Sequence, residues 1–268
     1  MEGAPSIPHS AIFLAPHYDD VALSCGGTVA ALADAGVRPL VVTVFGGGAA
    51  KGALTDFARW QHERWGTVAG DTTAIRRAED RAAAAILGCE TRWWPFPDAI
   101  YRGTDYLSDE ALFGSPVATD APLAEAIAAE ALALPGLAPD IPDATLYVPL
   151  AVGSHVDHEL CYRAGLAIAG RGRRVLAYED CPYALLDDLL PRRLAEVAGA
   201  VGQAELVPVA ATLARRLAAI SAYPSQLAVI FRHFEQGPAV IGDYAQRAGG
   251  PVGPVERYWP LLPPSSPR

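Results

Sequence analysis

The segment AIFLAPHYDDVALSCGGTVAALADAGVRPLVVTVF, residues 11–45, decides the fold of this chain. It begins with the apolar run Ala11–Ala15, which predicts a short buried strand that stops at Pro16. Ser24–Gly36 is rich in alanine and leucine and ends in glycine, which predicts a helix. Leu40–Phe45 is apolar and β-branched and predicts a second strand. A strand, a helix and a strand in this order predict a βαβ unit with parallel strands and a right-handed crossover.

The same alternation of strands and helices continues along the chain. Further helices are predicted at Ile75–Leu87, Ala121–Leu134, His158–Ala169 and Thr212–Ala222, and further strands at Arg92–Phe96, Thr145–Leu150, Val175–Tyr178 and Leu206–Val209. This alternation predicts an α/β fold with a Rossmann-like, doubly wound, mostly parallel sheet between two layers of helices. No linker divides the chain, so we expect a single domain over residues 1–250. A proline-rich C-terminal tail is predicted over residues 251–268.

Composition and charge narrow the classes of function. Hydrophobic residues make up 51% of the 268 residues, which is enough for a sizeable core. The formal net charge of −9 argues against binding of a nucleic-acid backbone. No leader with a basic start is visible and no apolar run reaches about 18 residues, so we expect a cytoplasmic protein without a membrane span. The four cysteines form no CxxC pair and are expected to be buried thiols. Whether the chain forms a homo-oligomer stays open.

Histidine and carboxylate groups gather directly after the first predicted strand, in Pro16-His17-Tyr18-Asp19-Asp20. Residues that follow a strand lie at the carboxyl edge of a parallel sheet, where α/β folds bind ligands. His17 and Asp20 can face one point from a tight turn, and imidazole and carboxylate suit Zn²⁺ or a similar divalent ion. Asp19 beside them could accept a proton from water. Taken alone, the cluster fits an acidic helix N-terminus equally well, with its carboxylates capping the first amides.

A second cluster, His155-Val156-Asp157-His158, follows the predicted strand Thr145–Leu150. Two histidines and an aspartate within four residues are not typical of a helix cap. With His17, three of the six histidines of the chain fall in two short windows at strand ends. Together the clusters supply three metal ligands and a spare acid–base pair, which are the groups that a metal-dependent hydrolase needs.

The paired motifs resemble those of the PIG-L/LmbE-like N-deacetylase family, whose first motif is written (P/A)H(P/x)DD and whose second is HxDH. Three weaker similarities accompany them. Arg77-Ala78-Glu79 resembles the family's R-x-E helix, Phe96-Pro97-Asp98 its strand-end aspartate, and Tyr223-Pro224-Ser225-Gln226 its late (H/Y)xSQ segment. The resemblance covers residues 11–226 and implies the LmbE-like form of the three-layered fold.

The resemblance implies roles for the first cluster and its metal. His17, Asp20 and His158 would bind Zn²⁺ or another divalent transition metal. Asp19 would be the general base that takes a proton from the attacking water. These roles agree with the chemistry of the residues, because three protein ligands leave one position open for water.

The remaining roles concern the second cluster and the substrate. His155 would polarise the substrate carbonyl and stabilise the oxyanion. Asp157 would orient the His155 imidazole and favour its protonated form. The resemblance also makes Arg77 and Asp98 candidates for substrate binding. For Arg77, an ion pair along its own helix is an equally good interpretation.

The leading hypothesis is a zinc-dependent N-deacetylase, a hydrolase of linear amide C–N bonds. Its partner would be a small-molecule N-acetylglucosamine-type sugar or glycoconjugate. A second hypothesis keeps the same groups but cleaves a larger amide conjugate, as thiol-conjugate amidases of this family do. A third is a nucleotide-binding α/β module without catalysis, which would need a glycine fingerprint where Pro16–Asp20 stand.

Three positions depart from the family pattern or stay open. Gly153 stands two residues before His155, where some members have a tyrosine that assists the oxyanion. Tyr223 stands where histidine is common, and we assign it no role. Glu179-Asp180 follows a predicted strand and fits a pocket lining and a solvated loop equally well.

Overall fold

The computed structural model describes residues 10–49, 54–67, 72–137 and 144–263. The strands of this part of the chain are β1 (Ala11–Ala15), β2 (Pro39–Thr43), β3 (Glu90–Trp93), β4 (Thr145–Pro149), β5 (Arg174–Tyr178), β6 (Glu205–Pro208) and β7 (Val255–Pro260). Its α-helices are α1 (Asp20–Asp34), α2 (Asp56–Arg64), α3 (Thr72–Leu87), α4 (Asp109–Leu112), α5 (Ala121–Leu132), α6 (Val156–Ala169), α7 (Leu189–Glu196), α8 (Leu213–Ile220), α9 (Pro224–Ile230) and α10 (Ala239–Gly249).

The described strands form one seven-stranded sheet in the order β3-β2-β1-β4-β5-β7-β6. Strands β1 to β5 run parallel, whereas β7 pairs antiparallel with β5 and β6. The predicted α/β class with a Rossmann-like, mostly parallel sheet is therefore confirmed. The strand order reverses between β1 and β4. Open α/β sheets bind ligands at such a switch point, beyond the carboxyl ends of the strands.

Helices cover both faces of the sheet, which gives the three predicted layers. Alternate side chains of β1 enter different cores because successive side chains of a strand point to opposite faces. Ile12 and Leu14 belong to an apolar cluster with residues of α5 and α6. Phe13 and Ala15 belong to the cluster on the other face, with residues of α1, α3 and α8. Burial on both faces explains the unbroken apolar sequence of β1.

The prediction of a proline-rich tail over residues 251–268 is wrong for residues 255–260, which form β7 inside the sheet. The strand was missed because prolines stand at both of its ends, Pro254 before it and Pro260 at its last position, and proline is typical of irregular segments. The five residues between them, VERYW, contain no proline and include the β-formers valine, tyrosine and tryptophan. Residues 264–268 of the predicted tail lie outside the described residues.

Helix α1 is kinked, and side-chain bonds from β7 stabilise the kink. Cys25 has φ −141° inside the helix. The carboxylate of Glu256 in β7 accepts the backbone N–H groups of Gly27 at 2.9 Å and Thr28 at 2.8 Å, so it caps the second half of α1. Arg216 of α8 pairs with the same carboxylate at 3.0 Å. A Cβ at Gly27 would lie 2.8 Å from Glu256 Oε1, so the close approach needs glycine.

Five of the described α-helices were not predicted from the sequence: α2, α4, α7, α9 and α10. Each of them is short, at 4 to 11 residues, so its apolar periodicity is short as well. The predicted strand Arg92–Phe96 begins earlier, as β3 at Glu90–Trp93. None of the helices in the described part of the chain has the length and apolar character needed to cross a bilayer.

Candidate active site

Both motif clusters line one cavity at the carboxyl edge of the sheet, beside the switch point between β1 and β4. The cavity has a volume of about 430 Å³. Its polar lining includes His17, Asp19, Asp20, Asp98, His155 and His158. Residues of three short helices, α2, α4 and α9, also line it.

One carboxylate oxygen of the first cluster lies between the two predicted histidine ligands. Asp20 Oδ2 lies 3.5 Å from His17 Nδ1 and 3.4 Å from His158 Nε2. Ligand atoms of a tetrahedral zinc site with bonds of about 2.0–2.1 Å are about 3.3–3.4 Å apart. The types of donor, and the distance of Asp20 from each histidine, therefore suit a zinc-type ion.

Within the described residues, two combinations of three side chains come close enough to hold an ion, and neither contains Asp20. His17, His155 and His158 offer ring nitrogens within 4.8 Å of one another, and so do ligand atoms of His17, Asp98 and Asp157. In the second combination Asp157 is already engaged, because its Oδ1 pairs with Arg102 Nη1 at 2.6 Å. The first combination shares two histidines with the predicted set and differs in replacing Asp20 by His155.

Both predicted histidine ligands are held by a carboxylate on their other ring nitrogen. His158 Nδ1 lies 2.7 Å from Asp180 Oδ1, and His17 Nε2 lies 3.0 Å from Asp157 Oδ2. A metal-binding histidine commonly donates its second ring N–H to a carboxylate, which fixes the tautomer and the ring direction. Of the two acids left open by the sequence, Asp180 takes this supporting position, whereas Glu179 is buried outside the cavity lining.

The carboxylate of Asp157 does not orient His155, so this prediction is wrong. Besides His17, it accepts the backbone N–H of Ala99 at 3.1 Å. His155 is the N-cap of α6, and its Nδ1 accepts the backbone N–H of Asp157 at 3.2 Å. The main chain of Asp157 therefore orients His155, while its side chain orients His17.

Asp157 favours the protonated form of His155, as predicted, but other effects outweigh it. Burial lowers the pKa of His155 well below its ordinary value, and the neighbouring His17 lowers it further. The Asp157 and Asp20 carboxylates raise the pKa but do not outweigh these effects. Because Nδ1 accepts a hydrogen bond, the neutral ring carries its proton on Nε2. That N–H is available as a donor in the cavity.

The charges around His17 favour a cation at this point of the cavity. Burial lowers the pKa of His17, but Asp98, Asp157 and Asp20 outweigh it and raise the pKa well above its ordinary value. Conversely, His158 and His17 hold the pKa of Asp20 below its ordinary value against the effect of burial. A group of buried carboxylates of this kind also suits a bound metal cation.

The arginine at the site is Arg76 rather than the predicted Arg77. Arg76 Nη2 donates to Asp19 Oδ1 at 3.2 Å, and both side chains line the cavity. Arg77 Nη2 donates instead to the backbone oxygen of Gly46 at 2.9 Å, and its guanidinium lies over the Trp93 ring. Neighbouring residues of a helix are rotated by about 100° around its axis, so only one of the two arginines can point at the cavity.

Asp19 has the surroundings of a reacting acid rather than of a helix cap. It occupies the N-cap of α1, yet its side chain makes no capping hydrogen bond. Burial raises the pKa of Asp19, and the Arg76 charge opposes this effect. Asp20 Oδ2 accepts the backbone N–H of His17 at 2.7 Å, inside the turn. The helix-cap interpretation of the first cluster therefore does not apply to Asp19.

Asp98 lies where a substrate contact is feasible. Its Oδ2 is 3.7 Å from His17 Nε2, and its Oδ1 accepts the backbone N–H of Ile100 at 3.2 Å. Asp98 lines the cavity. Its role toward a substrate stays a prediction.

Comparisons with known proteins agree with the motifs. Residues 12–169 match the family described as GlcNAc-PI de-N-acetylase, PIG-L. The chain is 32% identical over 273 residues to a 2'-N-acetylparomamine deacetylase of Streptomyces fradiae, and the match covers 94% of this chain and 90% of the relative. It is 34% identical over 192 residues to a 2'-N-acetylparomamine deacetylase of Niallia circulans, covering 64% of this chain and 66% of that protein.

A solved structure shares the whole fold. It is a deacetylase of the teicoplanin biosynthesis pathway, 26% identical to this chain, with a TM-score of 0.78. The match covers 96% of this chain and 99% of that structure. The similarity therefore extends through the C-terminal strands and helices, beyond the segment that the family model matches.

Proposed function

The chain belongs to the PIG-L family of de-N-acetylases, and from this premise we propose that it removes the N-acetyl group from an acetylated amino sugar by metal-dependent hydrolysis. The observation that carries the proposal is the position of Asp20 Oδ2, 3.5 Å from His17 Nδ1 and 3.4 Å from His158 Nε2, in the cavity that Asp19 and His155 also line. The two relatives that deacetylate 2'-N-acetylparomamine support an amino-sugar substrate.

The ion would be held by His17, Asp20 and His158. Asp157 and Asp180 would fix the two imidazoles from behind, through the bonds of 3.0 Å and 2.7 Å described above. Three protein ligands with one open position are typical of catalytic rather than structural zinc sites. When bound, Zn²⁺ or another divalent transition metal supplies Lewis acidity and a water of lowered pKa.

Three side chains of this protein would carry the proton transfers and the developing charge. Asp19 accepts a proton as water attacks the acyl carbon, and Arg76 holds one of its oxygens so that the other is free for this transfer. His155 donates from Nε2 to the carbonyl oxygen as negative charge develops on it. Asp19 then returns its proton to the leaving nitrogen. The C–N bond breaks, and the products are acetate and the free amine.

The two alternative functions differ in their support. The nucleotide-binding module loses its basis because Pro16–Asp20 occupy the end of β1, where a glycine fingerprint would stand. The cleavage of a larger amide conjugate uses the same reacting groups and differs only in the acyl part of the substrate. The acyl part is therefore the feature that separates the two enzymatic hypotheses.

Acetate release from a panel of acetylated amino sugars tests the proposal. The panel contains 2'-N-acetylparomamine, N-acetylglucosamine and N-acetylglucosamine conjugates, and the metal content of each preparation is measured. We expect hydrolysis of at least one member that stops on complete chelation and returns with one equivalent of Zn²⁺. Full activity in metal-free protein, or no acetate from any member in metal-loaded protein, would contradict the proposal.

A further inference from the structure

Two aromatic side chains close the cavity beside the second cluster. The Phe113 ring lies edge-on to the His155 ring, with centroids 5.3 Å apart and planes at 84°. The Tyr183 ring lies 5.6 Å from Phe113 at 67° and 6.0 Å from His158 at 84°. We call Phe113 and Tyr183 the aromatic wall, because together they link the two histidines along one side of the cavity.

Gly153 fixes the position of this wall. Its φ of +88° is a conformation that favours glycine. A Cβ at this position would lie 2.9 Å from Tyr183 Cγ and 3.1 Å from Tyr183 Cβ and Cδ1. The Tyr183 ring therefore packs directly on the backbone that connects β4 to α6, and it cannot move further away from His158 on that side.

Resting on the proposed function, we propose that the aromatic wall restricts the acyl group of the substrate to acetyl, with Phe113 as the residue that determines this specificity. The carbonyl oxygen takes the donor of His155, and the leaving nitrogen takes its proton from Asp19. The acyl carbon carries three groups, so its alkyl group must point in the direction that the oxygen and the nitrogen leave free. The wall packs on His155 and His158, whereas Asp19 is held by Arg76 from α3.

The chemistry of the wall suits a methyl group. Aromatic rings offer an apolar surface without the directional demands of a polar pocket. Phe113 is the side chain of the wall that has room to move, because it is 38% exposed. Tyr183 lacks this room, because its ring packs on the backbone of Gly153. A longer acyl chain would meet the Phe113 ring between His155 and solvent. The wall therefore favours deacetylation over the cleavage of larger amides.

An acyl-length series tests the wall. Metal-loaded protein is assayed with the acetyl, propionyl, butyryl and hexanoyl amides of the same amino sugar. In the wild type, kcat/KM should fall steeply as methylenes are added. One methylene in an apolar pocket is worth roughly 10–200-fold, so Phe113→Ala should raise the butyryl-to-acetyl ratio of kcat/KM by at least about tenfold. Phe113→Leu should give an intermediate ratio, and Phe113→Trp a lower one than the wild type.

Phe234→Ala is the matched control. Phe234 lines the same cavity, but its ring neighbour is Phe231 at 6.3 Å rather than a histidine of the site. This variant should leave the butyryl-to-acetyl ratio unchanged. Metal content and the midpoint of thermal unfolding are measured for every variant, and Phe113→Leu decides the question if Phe113→Ala unfolds.

The outcomes separate the wall from the function on which it rests. An unchanged ratio in Phe113→Ala with KM raised equally for all amides would overturn the proposal and make Phe113 a platform for the sugar. Equal hydrolysis of acetyl and butyryl amides by the wild type would also overturn it, while leaving the deacetylase intact. No hydrolysis of any N-acyl amino sugar would instead contradict the proposed function itself.

Discussion

The region that carries the reacting groups and the region that supports it use buried carboxylates in opposite ways. In the catalytic region, residues 10–180, Asp19 receives one side-chain hydrogen bond, from Arg76, and lines the cavity. In the C-terminal region, residues 205–263, Glu256 contacts the N–H groups of Gly27 and Thr28, the Arg216 guanidinium and a tyrosine hydroxyl. A carboxylate that exchanges protons keeps an oxygen accessible, whereas one that holds two elements together has its oxygens occupied.

This difference also separates what each region contributes to function. The candidate metal ligands and proton-transfer groups all lie in the catalytic region. The C-terminal region contributes one side of the cavity through Gln226, Val229 and Ile230. It also reaches back to α1, the helix that follows the first cluster, through Glu256. Substitutions of the reacting groups in the catalytic region should therefore lower the rate, whereas substitutions in the C-terminal region should lower the stability.

The largest effect is expected for Asp19→Asn. The amide cannot take the proton of the attacking water, and a positioned general base is typically worth about 10²–10⁴-fold in rate. We expect kcat to fall by a factor in that range while metal content and unfolding midpoint stay close to those of the wild type. Steady-state kinetics on preparations of equal metal content measure this. A kcat near the wild-type value would remove Asp19 from the mechanism.

Glu256→Gln is the corresponding substitution in the C-terminal region. It leaves the Arg216 guanidinium buried without its counter-charge, and breaking a buried ion pair typically costs about 3–5 kcal/mol. We expect the free energy of unfolding to fall by about this amount. At a temperature at which the variant is folded, kcat should be close to that of the wild type. Denaturant unfolding followed by circular dichroism measures the first quantity.

Glu205→Gln on the adjacent strand β6 is the matched control. Glu205 pairs with Arg174 at 2.6 Å, but both side chains are about half exposed. An exposed pair of this kind typically contributes about 0–1 kcal/mol. If the two substitutions destabilise the protein equally, the capping of α1 by β7 is not what stabilises this region.

Asp180→Asn tests the support of a metal ligand inside the catalytic region. The carboxylate receives His158 Nδ1 and, through Oδ2, the backbone N–H of Val152 at 2.9 Å. An amide has only one oxygen for these two donors. Loss of such a supporting partner typically lowers metal affinity by about 10–100-fold. Competition with a chromophoric chelator should show this weakening.

Asp80→Asn serves as its control. Asp80 is also buried, but it binds the Thr91 hydroxyl and the Trp93 indole N–H on β3. This variant should keep the metal affinity of the wild type even if it is less stable. Equal losses of affinity in both variants would show that any buried charge, rather than the His158–Asp180 bond, controls binding.

The sequence predicts most of the catalytic region because local signals determine it. Strand β1 is an unbroken apolar run, β4 is apolar after its first residue, and a cluster follows each of them. Their convergence at one edge is therefore a consequence of parallel topology. The choice between Arg76 and Arg77 depends on the rotation of α3 about its axis. The partner of Asp157 depends on where His17 lies in space. Neither of these is visible in a motif.

The C-terminal region was harder to predict because its determinants are distant in sequence. Arg257 of β7 binds Glu179, 78 residues earlier, and Glu256 caps residues more than 200 positions earlier. A strand of this kind has no local partner, and its flanking prolines indicate an irregular segment. One signal in the sequence was usable: an acid in VERYW, a segment otherwise rich in β-forming residues, is a candidate for a buried ion pair.

The smallest effect is expected for Tyr223→Phe, in the residue that was given no role from sequence. The Tyr223 hydroxyl lies 2.8 Å from the backbone oxygen of Tyr18 and 2.9 Å from Asp80 Oδ1. These hydrogen bonds connect the C-terminal region to the first cluster, so we expect Tyr223 to have a structural rather than a catalytic role. Leaving a buried acceptor without its donor costs about 1–3 kcal/mol, so we expect a loss of stability in that range with little change in kcat. Tyr162→Phe is the matched control, because that buried hydroxyl has no hydrogen-bond partner among the described residues and its removal should be nearly neutral. If Tyr223→Phe instead lowers kcat by tenfold or more at unchanged stability, Tyr223 acts on the reacting groups, and the division between the two regions fails at this residue.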